Sequence, residues 1–308
     1  MNLSFVGGGN MATALIGGLV AKGADTRDFR VVEPFAQQQD KLVERFPGIG
    51  IFGEATAGAI DGADLVVMAV KPQQMREAAQ ALAPFIADVP VVLTIAAGAR
   101  IAHLSRWLSG YPRIVRAMPN TPALVGAGIS GAFAPVEVDM AGRKLAARVL
   151  EAGGSVVWVE REDMLDAVTG VSGSGPAYAF YFLEGLEEAA RDLGFTPESA
   201  RRLAYATFAG AIKLAMASDL EPGILRAQVT SKGGTTERAI TMMEEEGVKA
   251  KFVAAVKAAA ERARELGDAL DDQIGVGAMT PIPSPVPVGS RPLVLDRGQS
   301  GDPDPDPI

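Results

Sequence analysis

The sequence predicts an α/β fold in which a domain of alternating strands and helices is followed by a domain of helices alone. From residue 1 to about 160, short apolar segments alternate with stretches of helical periodicity, a pattern typical of a parallel sheet with helices on both faces. After residue 160 the strand signal disappears and long helical segments follow. We therefore expect one domain over 1–160, a second over 161–276 and a separate tail over 277–308.

Six apolar segments are expected to form the strands of the first domain. They cover residues 3–6, 30–33, 65–70, 91–95, 114–117 and 156–159. The stretches between them, such as 73–86 and 139–152, repeat apolar residues with the spacing of a helix. A glycine cluster follows the first of these strands directly.

The second domain is expected to be all-α and to mediate dimerisation. Its predicted helices cover 176–193, 197–217, 222–229, 235–246 and 248–266, with Thr196 as a cap and Pro197 at a first helical position. Residues 176–183 and 203–217 contain a single charged side chain, Lys213. A helix that is apolar on most sides must be buried on most sides. Because so small a domain has little interior of its own, we expect these helices to pack against a partner subunit.

Composition excludes several classes of function. The 308-residue chain carries a formal net charge of −8 and no cysteine, which argues against a nucleic-acid partner and excludes thiolate catalysis and disulfides. Absence of a secretion signal and of an uninterrupted apolar span predicts a cytoplasmic protein with no membrane segment. One histidine and scattered acidic residues predict no metal site. The 277–308 segment, rich in Pro, Gly and Asp, is predicted to be a disordered tail.

The cluster after the first strand predicts a Rossmann-type dinucleotide-binding domain. Residues 7–12, GGGNMA, match G-x-G-x-x-A between a strand and a helix, where glycines let a pyrophosphate approach the backbone and the helix N-terminus faces the anion. A glycine triplet also occurs in ordinary strand–helix turns. Glu33 lies at the end of the second strand, where a carboxylate can bind adenosine ribose hydroxyls and repel a 2′-phosphate. This position favours NADH over NADPH; the alternative is an exposed strand-end glutamate.

Four further segments carry polar or glycine-rich motifs. AVKPQ (69–73) and RAMPNTPALVG (116–126) each end a predicted strand, at the edge of the sheet where ligands bind. Lys71 is interpreted either as a group near the nicotinamide or phosphates or as an ordinary strand-end lysine. VTGVSGSGPAY (168–178) lies between two helices, and one interpretation is a loop that needs unusual dihedral angles. TSKGGTTERAI (230–240) leads into a helix whose first amides would face an anion such as a substrate carboxylate.

The segments GGGNMA, AVKPQ, MPNTP, DAVTGVSGSGPAY and TSKGGTT, in this order, resemble pyrroline-5-carboxylate reductase over about residues 1–275. The resemblance implies a Rossmann domain followed by a helical domain that interlocks with a second subunit. It also implies reduction of the C=N bond of 1-pyrroline-5-carboxylate to L-proline by NADPH or NADH, in homodimers that can assemble further.

The same resemblance implies a set of site residues. Those expected to contact the cofactor are Gly7, Gly8, Gly9, Asn10, Met11, Glu33, Thr56, Ala69, Val70, Lys71, Pro72, Ala97 and Asn120. Ser231, Gly234 and Thr235 would hold the substrate carboxylate, Thr236 would also reach the ring nitrogen as the catalytic residue, and Glu162 would lie near the substrate. Thr56 stands where relatives often carry Asn, which leaves the nucleotide preference open.

Two alternative functions are considered. A hydroxy-acid dehydrogenase of similar domain order would need a catalytic lysine in the helical domain, for which Lys232 is the candidate. A non-catalytic dinucleotide-binding regulator would have no need for the SKGGTT turn. His103 falls outside every motif and is interpreted as a helix-surface or packing residue.

Overall fold

The computed structural model describes residues 1–272, and within them eight strands form one sheet. The strands are β1 (Leu3–Val6), β2 (Phe29–Val32), β3 (Gly50–Phe52), β4 (Leu65–Met68), β5 (Val92–Thr94), β6 (Ile114–Met118), β7 (Gly128–Phe133) and β8 (Gly154–Trp158). Their order across the sheet is β3-β2-β1-β4-β5-β6-β7-β8. The first six have the doubly wound order in which the strand sequence reverses between β1 and β4, the position where dinucleotides bind.

Six helices cover the two faces of this sheet. They are α1 (Asn10–Ala21), α2 (Ala36–Arg45), α3 (Ala57–Ile60), α4 (Met75–Leu82), α5 (Ile101–Trp107) and α6 (Met140–Leu150). Apolar residues of α1, α2 and α6 form one buried cluster with the side chains on one face of the sheet, and those of α3, α4 and α5 form a second cluster on the other face. The predicted α/β domain with helices on both faces is confirmed.

The predicted sheet needs two corrections. Strand β7 runs antiparallel to β6, whereas the sequence predicted only parallel strands. The chain between them contains only a short 3-10 turn, Thr121–Val125, and a parallel connection requires a crossover of a dozen or more residues. Strands β3 and β7 were also not predicted, because β3 has three residues and β7 (GISGAF) contains two glycines that weaken the apolar signal.

The second part of the chain is helical, as predicted. Its helices are α7 (Met164–Val168), a π-helical turn (Thr169–Gly173), α8 (Gly175–Asp192), α9 (Pro197–Met216), α10 (Pro222–Gln228), α11 (Thr235–Glu245) and α12 (Val248–Asp272). The Thr196 cap is confirmed, since its hydroxyl accepts a hydrogen bond from the Ser199 amide at 3.3 Å. No helix of residues 1–272 is both long and apolar enough to cross a bilayer. The predicted boundary at 276 and the tail lie outside the described residues.

Helix α12 packs against the loop that follows β5 and so connects the helical part with the sheet domain. Gly98, in the loop after β5, lies so close to Gly267 of α12 that a Cβ on Gly98 would be 3.6 Å from the Gly267 nitrogen. Earlier in the same helix, the backbone of Val256 and Ala260 packs against Gly170 of the π-helical turn. The last helix is therefore in contact with both parts of the fold.

Candidate active site

The three glycines after β1 have different structural roles. Gly7 has a φ of +97°, and a Cβ there would lie 2.9 Å from the Ala69 carbonyl oxygen. A Cβ on Gly8 would lie 2.5 Å from Leu42 Cδ1, whereas one on Gly9 would meet nothing within 4 Å. The fold therefore requires glycine at position 7, a side chain at position 8 would have to displace Leu42, and position 9 leaves open space in front of α1.

The start of α1 is chemically suited to a pyrophosphate. Gly9 is the N-cap residue and supplies no side chain, so the amides of Asn10 and Met11 have no side-chain cap. Uncapped amides at a helix N-terminus bind anions, with support from the helix dipole. The predicted group Gly7–Met11 thus fits the phosphates of a dinucleotide, with Gly9 and Asn10 exposed to solvent.

The predicted strand ends lie at the same edge of the sheet. Strands β1 and β4 are parallel neighbours, and the Ala69 amide donates to the Val6 carbonyl at 2.8 Å. A Cβ on Gly7 would lie 2.9 Å from Val70 Cγ1. Lys71 is exposed, and Pro72 begins a 3-10 turn. The structure therefore brings the segment 69–72 beside the glycine turn at the switch point of the sheet.

The other predicted cofactor residues border this edge. Thr56 is half-buried at the start of α3 and does not cap that helix with its side chain. Ala97 is half-buried in the loop after β5, beside the Gly98 that contacts α12. Their contacts with a cofactor remain predictions.

Glu33 is buried, so the interpretation as an exposed strand-end residue is wrong. The Gly8 amide donates to Glu33 Oε2 at 2.9 Å and the Phe35 amide donates to Oε1 at 3.0 Å. The Gln38 side-chain amide donates in turn to the Gly8 carbonyl at 2.6 Å. Both sides of the central glycine are thus held by residues that follow β2.

Asn120 is also buried, and its side chain joins three segments. Its Nδ2 donates to the Ser172 carbonyl at 3.2 Å, and its Oδ1 accepts from the Ile129 amide at 2.9 Å. The MPNTP segment therefore connects the sheet to the SGSGP segment of the helical part. The predicted contact between Asn120 and the cofactor is untested.

The segment 168–178 needs glycine for close packing at Gly170 and Gly173, and the interpretation as a loop with unusual dihedrals is wrong. Residues 169–173 form the π-helical turn, α8 begins at Gly175, and the glycines of the segment do not have positive φ. A Cβ on Gly170 would lie 2.8 Å from Ala260, and one on Gly173 would lie 2.7 Å from Met118 Cε. Single π-helical turns occur often at functional sites.

A buried ionic network links the sheet to α7, and sequence reasoning identified only one of its members. Arg116 Nη1 donates to Glu162 Oε1 at 3.0 Å, and its Nη2 donates to Asp166 Oδ1 at 3.4 Å. The Ile101 amide donates to the same Glu162 oxygen at 2.8 Å. A charged residue inside an apolar strand was the signal that could have identified Arg116. A cleft of about 650 Å³ adjoins this network and is lined in addition by Arg100, Lys257 and Arg264.

The predicted substrate turn precedes α11. Gly233 has a φ of +71°, its amide donates to Glu237 Oε2 at 2.6 Å, and the Gly234 amide donates to the Ser231 carbonyl at 3.0 Å. Helix α11 has no side-chain cap, which leaves the first amides, those of Thr235 and Thr236, available to an anion. In a single protomer the turn is largely exposed.

His103 has the packing role predicted for it. It is buried on α5, with its ring centroid 5.8 Å from that of Trp107. Lys232, the candidate of the alternative dehydrogenase, is exposed in the turn before α11. Within residues 1–272, His, Asp and Glu side chains do not gather into a group of three that would hold a metal ion.

The doubly wound sheet and the glycine turn before α1 are typical of a nicotinamide-dependent oxidoreductase, here with a helical second domain. Comparison with known proteins identifies the family. The pyrroline-5-carboxylate reductase dimerisation family matches residues 162–266, and the family described as NADP oxidoreductase, coenzyme F420-dependent, matches residues 2–98. The pyrroline-5-carboxylate reductase of Pseudomonas aeruginosa is 43% identical over 269 residues, covering 87% of this chain and 97% of that protein.

Solved structures agree with this family. The pyrroline-5-carboxylate reductase of Coxiella burnetii superimposes with a TM-score of 0.80 at 39% identity, covering 86% of this chain and 98% of that one. The Plasmodium falciparum pyrroline carboxylate reductase with NADP bound gives a TM-score of 0.77 at 25% identity, covering 87% and 98%. The chain belongs to the pyrroline-5-carboxylate reductase family. The resemblance and the fold class predicted from sequence are both confirmed.

Proposed function

We propose that this chain reduces the C=N bond of 1-pyrroline-5-carboxylate with a hydride from NADPH or NADH and so produces L-proline. One observation carries the proposal within this family: the chain has two glycine turns that lead into uncapped helix starts, one before α1 and one before α11. The first suits a dinucleotide pyrophosphate and the second suits a carboxylate. A regulator without catalysis would need only the first.

NAD(P)H held at the glycine turn before α1 would supply a hydride to the imine carbon of the ring. The amides of Thr235 and Thr236 bind the carboxylate, because the predicted Gly234 amide already donates to the Ser231 carbonyl. The Thr236 hydroxyl hydrogen-bonds the ring nitrogen and orients the ring. The cyclic imine takes a proton from water, and Glu162, whose carboxylate is anchored by Arg116 and the Ile101 amide, favours the resulting cation. Positioning and fixed charges provide most of the rate enhancement in this scheme.

The same proposal includes a homodimer in the cytoplasm, formed through the helical domain. In one protomer α8 has no buried residue, and Phe180 and Tyr181 are 58% and 72% exposed. Apolar faces of this kind mark interaction surfaces. A second copy covers α8 and α9 in the proposed dimer, which can assemble further.

The proposal is tested by following the absorbance of NADH and of NADPH separately with 1-pyrroline-5-carboxylate. We expect Thr236→Ala to lower kcat/KM at least about tenfold, the size of a lost transition-state hydrogen bond. Lys232→Ala, in the same turn, is the matched control and should retain activity within about twofold.

Two outcomes contradict the proposal. One is that the wild-type chain oxidises neither nucleotide with this substrate. The other is that Lys232→Ala abolishes turnover while hydroxy acids serve as substrates, which would support the alternative dehydrogenase.

A further inference from the structure

The segment that follows β5 lies on the nicotinamide side of the sheet. Residues 96–100, AAGAR, leave the carboxyl end of β5, and β5 is the parallel neighbour of β4 on the side away from β1. In doubly wound sheets a dinucleotide lies across the carboxyl ends of the strands, with one half on either side of the switch point. Because the adenosine ribose lies on the β2 side, the segment 96–100 borders the other half.

Helix α12 holds this segment at its middle and at its end. Gly98 has a φ of +76° and packs on the helix backbone, since a Cβ on Gly267 would lie 3.5 Å from the Gly98 carbonyl oxygen. Both glycines are buried. The guanidinium of Arg100 donates through Nη2 to Asp268 Oδ1. The last turns of α12 thus contact a segment that belongs to the sheet domain.

The ion pair between Arg100 and Asp268 is suited to positioning more than to stability. Asp268 is oriented within its own helix, because its Oδ2 accepts from Arg264 Nη1 at 3.1 Å. The Arg100 and Asp268 side chains are 30% and 46% exposed, and ion pairs with this exposure to water add little to the free energy of unfolding. The pair nevertheless joins two domains beside a ligand site.

We propose that Asp268 is a positioning residue for hydride transfer. It holds Arg100 and so fixes the segment 96–100 that borders the nicotinamide. Transfer between bound groups requires reacting atoms about 3–3.5 Å apart, and a displacement of about 1 Å can lower the rate about 100-fold. The inference rests on the proposed function for its rate measurement, whereas its spectroscopic measurement requires only that the chain binds a nicotinamide dinucleotide.

The fluorescence of bound NADH and NADPH reports the surroundings of the nicotinamide without any imine. The full wild-type chain and Asp268→Ala are titrated with each nucleotide, and 5′-AMP serves as a competitor that occupies the adenosine half alone. We expect the fluorescence lifetime of the bound nicotinamide to move toward the value of the free nucleotide in Asp268→Ala. The Kd of 5′-AMP should stay within about twofold of the wild-type value, because the adenosine half lies beyond the switch point.

Single-turnover kinetics separate positioning from folding. When the nucleotide-loaded chain is mixed with 1-pyrroline-5-carboxylate, loss of folded protein lowers the amplitude, whereas misplacement of the nicotinamide lowers the rate constant. We expect the rate constant of Asp268→Ala to fall at least about tenfold, with the thermal midpoint within about 3 °C of the wild-type value. Asp268→Asn, which keeps an oxygen that can accept from Arg100, should lie between the two.

Two further variants assign the effect to the contact itself. Arg100→Ala should lower the rate constant at least as much as Asp268→Ala. The double variant Arg100→Ala/Asp268→Ala should be no slower than Arg100→Ala alone, because both substitutions remove the same interaction. Glu265→Gln, which breaks an exposed pair with Arg262 on the same helix, is the control and should stay within about twofold of the wild-type rate.

Each outcome decides the inference. An unchanged lifetime of the bound nucleotide in Asp268→Ala overturns it, and so does a rate loss that is fully additive in the double variant. If the wild-type chain binds a nucleotide but does not reduce the imine, the proposed function is wrong, and the lifetime comparison still decides the inference. A wild-type chain that binds neither nucleotide contradicts both.

Discussion

Arg116 is expected to be the most sensitive charged residue of the domain junction. Its side chain is 4% exposed, and it pairs with Glu162 (26% exposed) and Asp166 (11% exposed). We predict that Arg116→Met lowers the free energy of unfolding by about 3–5 kcal/mol, because it leaves the Asp166 carboxylate buried without its cation. The junction between β6 and α7 would be the first region affected.

The structure also predicts how the loss of folding free energy should rank among variants of the Arg116, Glu162 and Asp166 network. Glu162→Gln should cost about 1 kcal/mol, because a Gln oxygen still accepts from the Ile101 amide and from Arg116. The loss of stability in Asp166→Asn should lie between those of Glu162→Gln and Arg116→Met, since Arg116 keeps its partner Glu162. The double variant Arg116→Met/Asp166→Leu should recover at least about 1 kcal/mol of the loss, since an apolar pair of similar volume avoids the buried charge.

Urea unfolding followed by circular dichroism measures these differences. All variants must be compared at one protein concentration, because subunit association adds to apparent stability. The reasoning is refuted if Arg116→Met costs less than about 1 kcal/mol, or if the double variant is no more stable than Arg116→Met alone.

Three further predictions concern the glycine turn, helix α1 and the surface. Gly9→Ala should leave thermal stability unchanged but weaken nucleotide binding at least about tenfold, because the added methyl enters the space for the phosphate. Gly18→Ala should instead lower thermal stability, since its Cβ would overlap the Ala152 carbonyl. If Gly9→Ala lowers the melting temperature while Gly18→Ala leaves it unchanged and weakens nucleotide binding, the roles given to these two glycines are wrong. The side-chain hydrogen bond from Arg27 lowers the pKa of Asp25 from 3.8 to about 2, so its contribution to stability is present above pH 3.8 and is lost as the pH falls through 2. In an NMR titration Arg27→Leu should return that pKa toward 3.8, and an unchanged titration would show another cause.

Features that depend on local residue pattern could be predicted from the sequence alone. Apolar segments followed by helical periodicity located β1, β2, β4, β5 and β6, because a buried strand is a continuous apolar run wherever it lies in the sheet. An apolar run also located β8, whose residues are half-buried or exposed in one protomer. The glycine motif located the turn, since a φ of +97° at Gly7 excludes most side chains. Thr196 and Pro197 located the start of α9 for similarly local reasons.

Features that join distant parts of the chain could not be predicted from local pattern and became visible in the fold. The direction of β7 depends on which strand it meets, and the destination of the Glu33 carboxylate depends on the Gly8 amide 25 residues earlier. Arg116 pairs with Asp166, which lies 50 residues later in the chain. A residue pattern records the preference of a segment for a conformation and for burial, but it does not record which partner satisfies a buried polar group. That partner is set by which strands and helices become neighbours in the fold, β1 and β2 for Glu33 and β6 and α7 for Arg116.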